Sequence, residues 1–222
     1  MKEKMLLIKR AVMSVLLFTA AICVQAQKNM REVWVTMPDS VIPYLNHKLR
    51  VELADYWDMK ADAKVKNRMD GETKLIKMSD GYMKLELNGS TDASIRLLST
   101  SDSTYIICMI KTLKAPAEES CVMFYSSEWK PLNKSFGLPA NDNSDKTKEM
   151  FTELKDTLTT ELYDKLYGMI EPVMLKATLS ETEETIVFEL SLPFLTKDEK
   201  DEVSLILRQR KFKWDGENFK EC

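Results

Sequence analysis

Histidine is almost absent from this chain: one residue, His47, in 222. A Ser-His-Asp triad or a Cys-His pair would have to be built on it, yet it stands between Asn46 and Lys48 with no nucleophile motif beside it, and the reading is a solvated helix histidine. Glycine is scarce at six residues, and none belongs to a Gly-rich loop of the kind that cradles phosphate, which excludes the common nucleotide-binding motifs. The four cysteines show no paired metal-ligand spacing. No catalytic residue, cofactor or metal ligand is therefore expected. Only carboxylate chemistry stays open, because spacing along a chain says nothing about the 5–9 Å separation of two acids across a cleft.

Long apolar runs are also missing, apart from Ala11 to Ala21. That run follows Lys2, Lys4, Lys9 and Arg10 and precedes Val24-Gln25-Ala26, so it reads as a secretory leader with a basic start, an apolar centre and small residues at the cut. It is shorter than the roughly 20 apolar residues a membrane-spanning helix needs. Residues 1–26 are assigned as signal peptide, leaving a periplasmic or secreted protein with no transmembrane segment. Cys23 raises lipid attachment as an alternative, but Ile22 stands where a small residue belongs. Of 32 Lys and Arg and 35 Asp and Glu, 28 and 34 lie after residue 26, a net of −6. That balance lacks the basic stripe nucleic acid demands.

What is present is patterning. Ile42, Leu45, Leu49, Leu53 and Tyr56 recur at three- and four-residue spacing, predicting a helix over about 41–58 capped at Asp39-Ser40. The period then drops to two. Segments 75–78, 82–87, 93–99, 104–111 and 120–126 are separated by turn residues such as Ser79-Asp80-Gly81 and Asn88-Gly89, and close spacing leaves room only for an antiparallel meander. Residues 131–143, rich in Pro, Gly, Asn and Asp, divide the chain into a first unit at 27–135 and a second at 136–222. In the second unit a helix is expected from about 144 to 170, with Phe151, Leu158 and Leu162 buried, then strands at 173–179, 185–192 and 202–214. The fold class is α+β, two tandem units each of a helix laid on an antiparallel sheet. This duplication is similar to the architecture of beta-lactamase inhibitory protein, a likeness of fold only.

Three cysteines follow the leader. Cys108 and Cys121 fall on neighbouring strands, but a turn near Pro116 sets Cys108 opposite a residue beyond Cys121, favouring a small buried hydrophobe over a disulfide. The acids Glu118-Glu119 and Glu181, Glu183 and Glu184 fall in turns and read as hydrated charge. Arg208, Arg210 and Lys211, with Lys213 and Trp214, make a basic, aromatic strand; Tyr125 and Trp129 make an aromatic segment. Both are candidate binding surfaces, because Arg, Tyr and Trp carry much interface energy. The competing reading of the basic strand is protection of a sheet edge, and of the tryptophans, packing. Asp39-Ser40-Val41, Asp102-Ser103-Thr104 and Asp156-Thr157-Leu158 match a three-residue O-glycosylation pattern, the third of them inside the expected helix.

Met37-Pro38-Asp39-Ser40-Val41-Ile42-Pro43-Tyr44-Leu45-Asn46, the stretch from Leu97-Leu98 through Ile110-Lys111-Thr112, and Cys121-Val122-Met123-Phe124-Tyr125 with Trp129 together resemble the domain of unknown function 3256, a family of exported Bacteroidales proteins. The resemblance implies export and carries over no activity, cofactor or catalytic residue. The expected function is a non-catalytic binding or assembly module of the cell envelope whose partner is an envelope protein or glycan; the alternative is a carboxylate-dependent hydrolase of envelope or dietary polymers. Mass spectrometry of the exported protein is expected to find Gln27 at its start. A lipid-modified species beginning at Cys23 would overturn that assignment.

Overall fold

A computed structural model of the chain describes residues 29–102, 104–139 and 144–222; the expected leader, Ser103 of the second glycosylation pattern and residues 140–143 of the expected boundary lie outside them. Asn29 caps helix α1 (Met30–Val35), its side-chain oxygen accepting from the Glu32 N–H. Asn46 does the same for α2 (His47–Asp58), accepting from Leu49 N–H at 3.1 Å. The helix expected over 41–58 therefore starts later. Asp39 does not cap it; its carboxylate takes the Arg50 guanidinium at 2.7 Å, and Arg50 also donates to the carbonyls of Met37 and Leu45. A buried guanidinium must find acceptors, and here they are the carbonyls of the intervening turns. Ile42 and Leu45 remain fully buried beneath that loop.

The meander follows as β1 (Lys64–Lys66), β2 (Glu72–Met78), β3 (Tyr82–Asn88), β4 (Thr91–Ser99), β5 (Tyr105–Leu113) and β6 (Glu119–Ser126), a six-stranded antiparallel sheet in sequence order. β1 was hidden in a charged stretch. β4 and β5 pair over nine consecutive residues, and in their central parts successive side chains go to two buried faces in turn. Ile107, Met109 and Tyr125 join Trp34, Leu53 and Trp129 beneath the helices. Cys108, Ile110 and Phe124 face the opposite way, into the second sheet. Register sets Cys108 opposite Phe124 and Cys121 opposite Lys111, and both thiols are free. The hairpin argument is thus borne out.

The second half runs α3 (Asp145–Met150), α4 (Thr160–Gly168), β7 (Met174–Leu179), β8 (Thr185–Ser191), α5 (Lys197–Val203), β9 (Arg210–Trp214) and β10 (Phe219–Glu221). Its strands form an antiparallel sheet of order β10-β9-β8-β7. Two expectations need correction. The helix over 144–170 is interrupted at 151–159, because Glu153 N–H donates to Ile206 O at 2.8 Å and Arg208 N–H to Phe151 O at 3.0 Å, pulling this stretch into a bridge with 206–208. Phe151 is buried, Leu158 and Leu162 only half so, and Asp156-Thr157-Leu158 falls in a turn rather than a helix. The strand over 202–214 is likewise shortened to its end at β9: α5, started by a capping box of Thr196 and Glu199, takes residues 202 and 203, and Leu207 bridges to Thr152 instead of extending the strand.

Two antiparallel sheets with helices give the α+β class read from the sequence. All strands of the first sheet precede residue 127 and all strands of the second follow 173. Polar contacts tie them together: Arg96 donates to Ser180 O, Trp214 Nε1 to Ser99 O at 2.6 Å, and Ser191 Oγ to Glu118 O. Glu184, read as hydrated, instead accepts from the N–H and hydroxyl of Ser99.

Two outcomes follow from this packing. Phe151→Ala is expected to cost about 3–5 kcal/mol in urea denaturation, whereas Leu154→Ala, 47% exposed in the interrupted stretch, should change stability by less than about 0.5 kcal/mol. Equal losses would restore the continuous helix. With a thiol reagent on the native protein, Cys121 and Cys222 are expected to react and Cys108 to react only on unfolding, since burial also pushes its thiol pKa upward.

Candidate functional site

The six residues singled out by sequence do not form one surface. Trp214 is 5% exposed, its indole N–H committed to Ser99 and its ring packed on Phe136 and Phe219. Trp129, also 5% exposed, donates to Val33 O at 3.1 Å and packs on Tyr125, so it anchors α1 to the first sheet. The basic strand does not guard an edge: β9 lies between β10 and β8. Three of its cations are partnered, Lys213 being exposed without a partner among the described residues. Arg210 forks onto Glu221, which raises its pKa, and stands over the rings of Phe151 and Phe212. Lys211 meets Glu183 at 3.2 Å, and Arg208 donates to Met150 O. Arg208 and Lys211 are the exposed members of the set.

A different place is concave. Beside β6, where the first sheet ends, a groove of about 790 Å³ is bounded by β6 itself, the ends of β4 and β5, the segment 131–139 and Phe188 of β8. Its lining is largely apolar, with Val122, Met123, Phe124, Leu132 and Leu138 prominent, and of the candidate residues only Tyr125 contributes. The volume lies in the ordinary range for binding sites.

Local geometry explains why the groove stays open. Ser126 N–H donates to Lys130 O and Leu132 N–H to Phe124 O, both at 2.9 Å, so the chain after β6 turns back and pairs with its last residues. Pairing stops there. Lys134 N–H takes the Leu132 carbonyl, and the chain leaves the strand to reach β10, where Phe219 N–H donates to Phe136 O at 2.7 Å. Phe136 and Gly137 both have positive φ in this departure, and a Cβ on Gly137 would stand 2.7 Å from the Phe219 carbonyl, a position that requires glycine.

The polar equipment is cationic. Lys111, half-buried and registered opposite Cys121, donates to Val41 O at 3.0 Å, and burial lowers its pKa. Lys134 lies over the Phe136 ring at 4.8 Å. One carboxylate, Glu119, lines the groove. Among the described residues no cluster of three His, Cys, Asp or Glu could hold a metal ion, and no helix is long and apolar enough to cross a membrane. His47 is exposed at the start of α2. Sequence reading named β6 for its aromatics. The groove's open backbone and the wall opposite it leave no compositional mark.

No curated protein matches the chain. Among solved structures, a domain of an uncharacterized protein from Porphyromonas gingivalis W83 superposes with a TM-score of 0.69 at 20% identity, covering 87% of this chain and 98% of that one, which is a likeness of fold. The family model described as protein of unknown function (DUF3256) matches residues 21–219. The β6 stretch Cys121–Tyr125, the Arg50-bound loop of Met37–Asn46 and the sheet between them thus lie inside the match, and the chain belongs to that family.

Proposed function

We propose that this protein is a non-catalytic binding module of the cell envelope, acting in the periplasm or outside the cell after removal of residues 1–26, with the β6 groove as its recognition site. The observation that carries the reading is the groove itself: an apolar concavity of about 790 Å³ between the edge of β6 and the segment that leaves it. Exposed apolar concavities of that size are used for contact.

The hydrolase alternative requires two acids across a cleft, one of them with a raised pKa. Here the groove has Glu119 alone. Elsewhere, among the described residues, the carboxylates whose pKa is displaced are displaced downward, by the Arg50 bond at Asp39, the Lys130 bond at Glu128 and the Arg210 bond at Glu221. Those groups are held ionised, the opposite of a general acid.

Cys121 lines the groove and is exposed, which makes it a reporter position. An environment-sensitive fluorophore on Cys121 of the C222S variant is expected to respond saturably to peptides from digested envelope proteins, with every peptide recovered intact by mass spectrometry. Cleaved peptides would establish the hydrolase; the absence of any response would remove the groove as the site.

A further inference from the structure

The β6 edge offers more than apolar lining. In an antiparallel strand the N–H and C=O of one residue point to the same side, and the side alternates along the chain. Because Phe124 O and Ser126 N–H face away from β5 to meet residues 132 and 130, the backbone of Val122 and the N–H of Phe124 face away as well. Among the described residues nothing pairs with them. They open onto the groove, whose lining includes both residues. Uncovered strand edges are templates for another strand, and proteins that do not use them normally cover, bulge or charge them. This one is flanked by its own short pairing at 130–132, which a guest strand would extend.

Charge decides what kind of strand. Lys111 and Lys134 both line the groove, and among the described residues neither ammonium has a carboxylate at ion-pair distance: Lys111 is held by a carbonyl and Lys134 by a ring face. Other lysines, Lys84 and Lys213 among them, also lack an acid partner among the described residues; what distinguishes Lys111 and Lys134 is that both stand in the groove lining, against the single acid Glu119. We propose that the open stretch of β6 at Val122 and the Phe124 N–H takes up an extended peptide of alternating apolar and acidic residues as an added strand. Its backbone pairs with Val122 and Phe124, its apolar side chains enter the groove beside Leu132 and Leu138, and its acids reach Lys111 and Lys134. Main-chain pairing supplies the affinity and alternate side chains the selectivity, as in strand addition generally. The proposal rests on the groove being the recognition site.

The probe is the acetylated, amidated pentapeptide Val-Glu-Val-Glu-Val, added to the purified protein and followed by amide NMR and hydrogen exchange. The amides of Val122 and Phe124 are expected to gain at least about tenfold protection, as a newly made backbone hydrogen bond gives. The same peptide N-methylated at its three central residues should not bind. Val-Lys-Val-Lys-Val should bind at least about fivefold more weakly. Val122→Pro removes an outward N–H while sparing the β5 ladder, and should abolish binding; Lys111→Gln with Lys134→Gln should erase the preference for the acidic peptide even if the proline variant does not fold. Equal binding of the N-methylated peptide would overturn strand addition. So would protection of Val122 that rises with protein concentration and needs no peptide, because the edge would then hold a second copy. A Cys121 fluorophore that responds while Val122 stays unprotected defeats this proposal alone, whereas silence from both defeats the groove.

Discussion

Burial of both faces of the first sheet at its central strands β4 and β5 is the constraint from which the remaining architecture follows. A strand sends successive side chains to opposite sides, so a strand with two buried faces must be apolar throughout, as Tyr105 to Ile110 is. Ile107 and Met109 are claimed by the layer of α1 and α2, and Cys108 and Ile110 by the second sheet. Antiparallel sheets more often leave one face in water. Here the free face is taken by the second half of the chain, which is why Phe188 and Phe212, with Val203 and Ile206, share one cluster with Tyr82 and Leu98.

A sheet whose centre is covered on both faces still has two edges. β1 is only three residues long and flanked by charge, an edge of the kind that resists pairing. β6 is eight residues long. Its end is closed by the returning chain at 130–132, and the departure of that chain toward β10, fixed by the Phe136 and Gly137 conformations, leaves the middle of the strand open. The groove is thus a consequence of how the two halves connect.

Electrostatics follows the same layout. Arg50 and Arg96 are buried and serve backbone carbonyls of loops that must stay put, one over α2 and the other between the sheets. On the outer face of the second sheet Lys176 and Lys211 are matched with acids across or beside the strand. The lysines of the groove stand apart from that bookkeeping, since their partners are a carbonyl and an aromatic ring.

The sequence by itself determined the faces of the elements and much of their order. Period-two alternation located β2 to β6 to within a few residues, the hairpin spacing gave the Cys108 register, and scarcity of His and Gly excluded whole classes of chemistry. Tertiary structure decided everything that depends on a distant partner. Phe151, Leu154, Leu158 and Leu162 keep a helical period, yet the backbone between them is pulled straight by hydrogen bonds to residues 206–208, more than fifty positions away. Trp214 and Trp129 are readable from sequence as packing residues or as contact residues, and the bonds of their indole N–H groups to Ser99 O and Val33 O place both in the interior. The β6 groove was invisible, because an unpaired backbone edge consists of the atoms every residue shares, and only the fold determines which strand is last and what lies beside it.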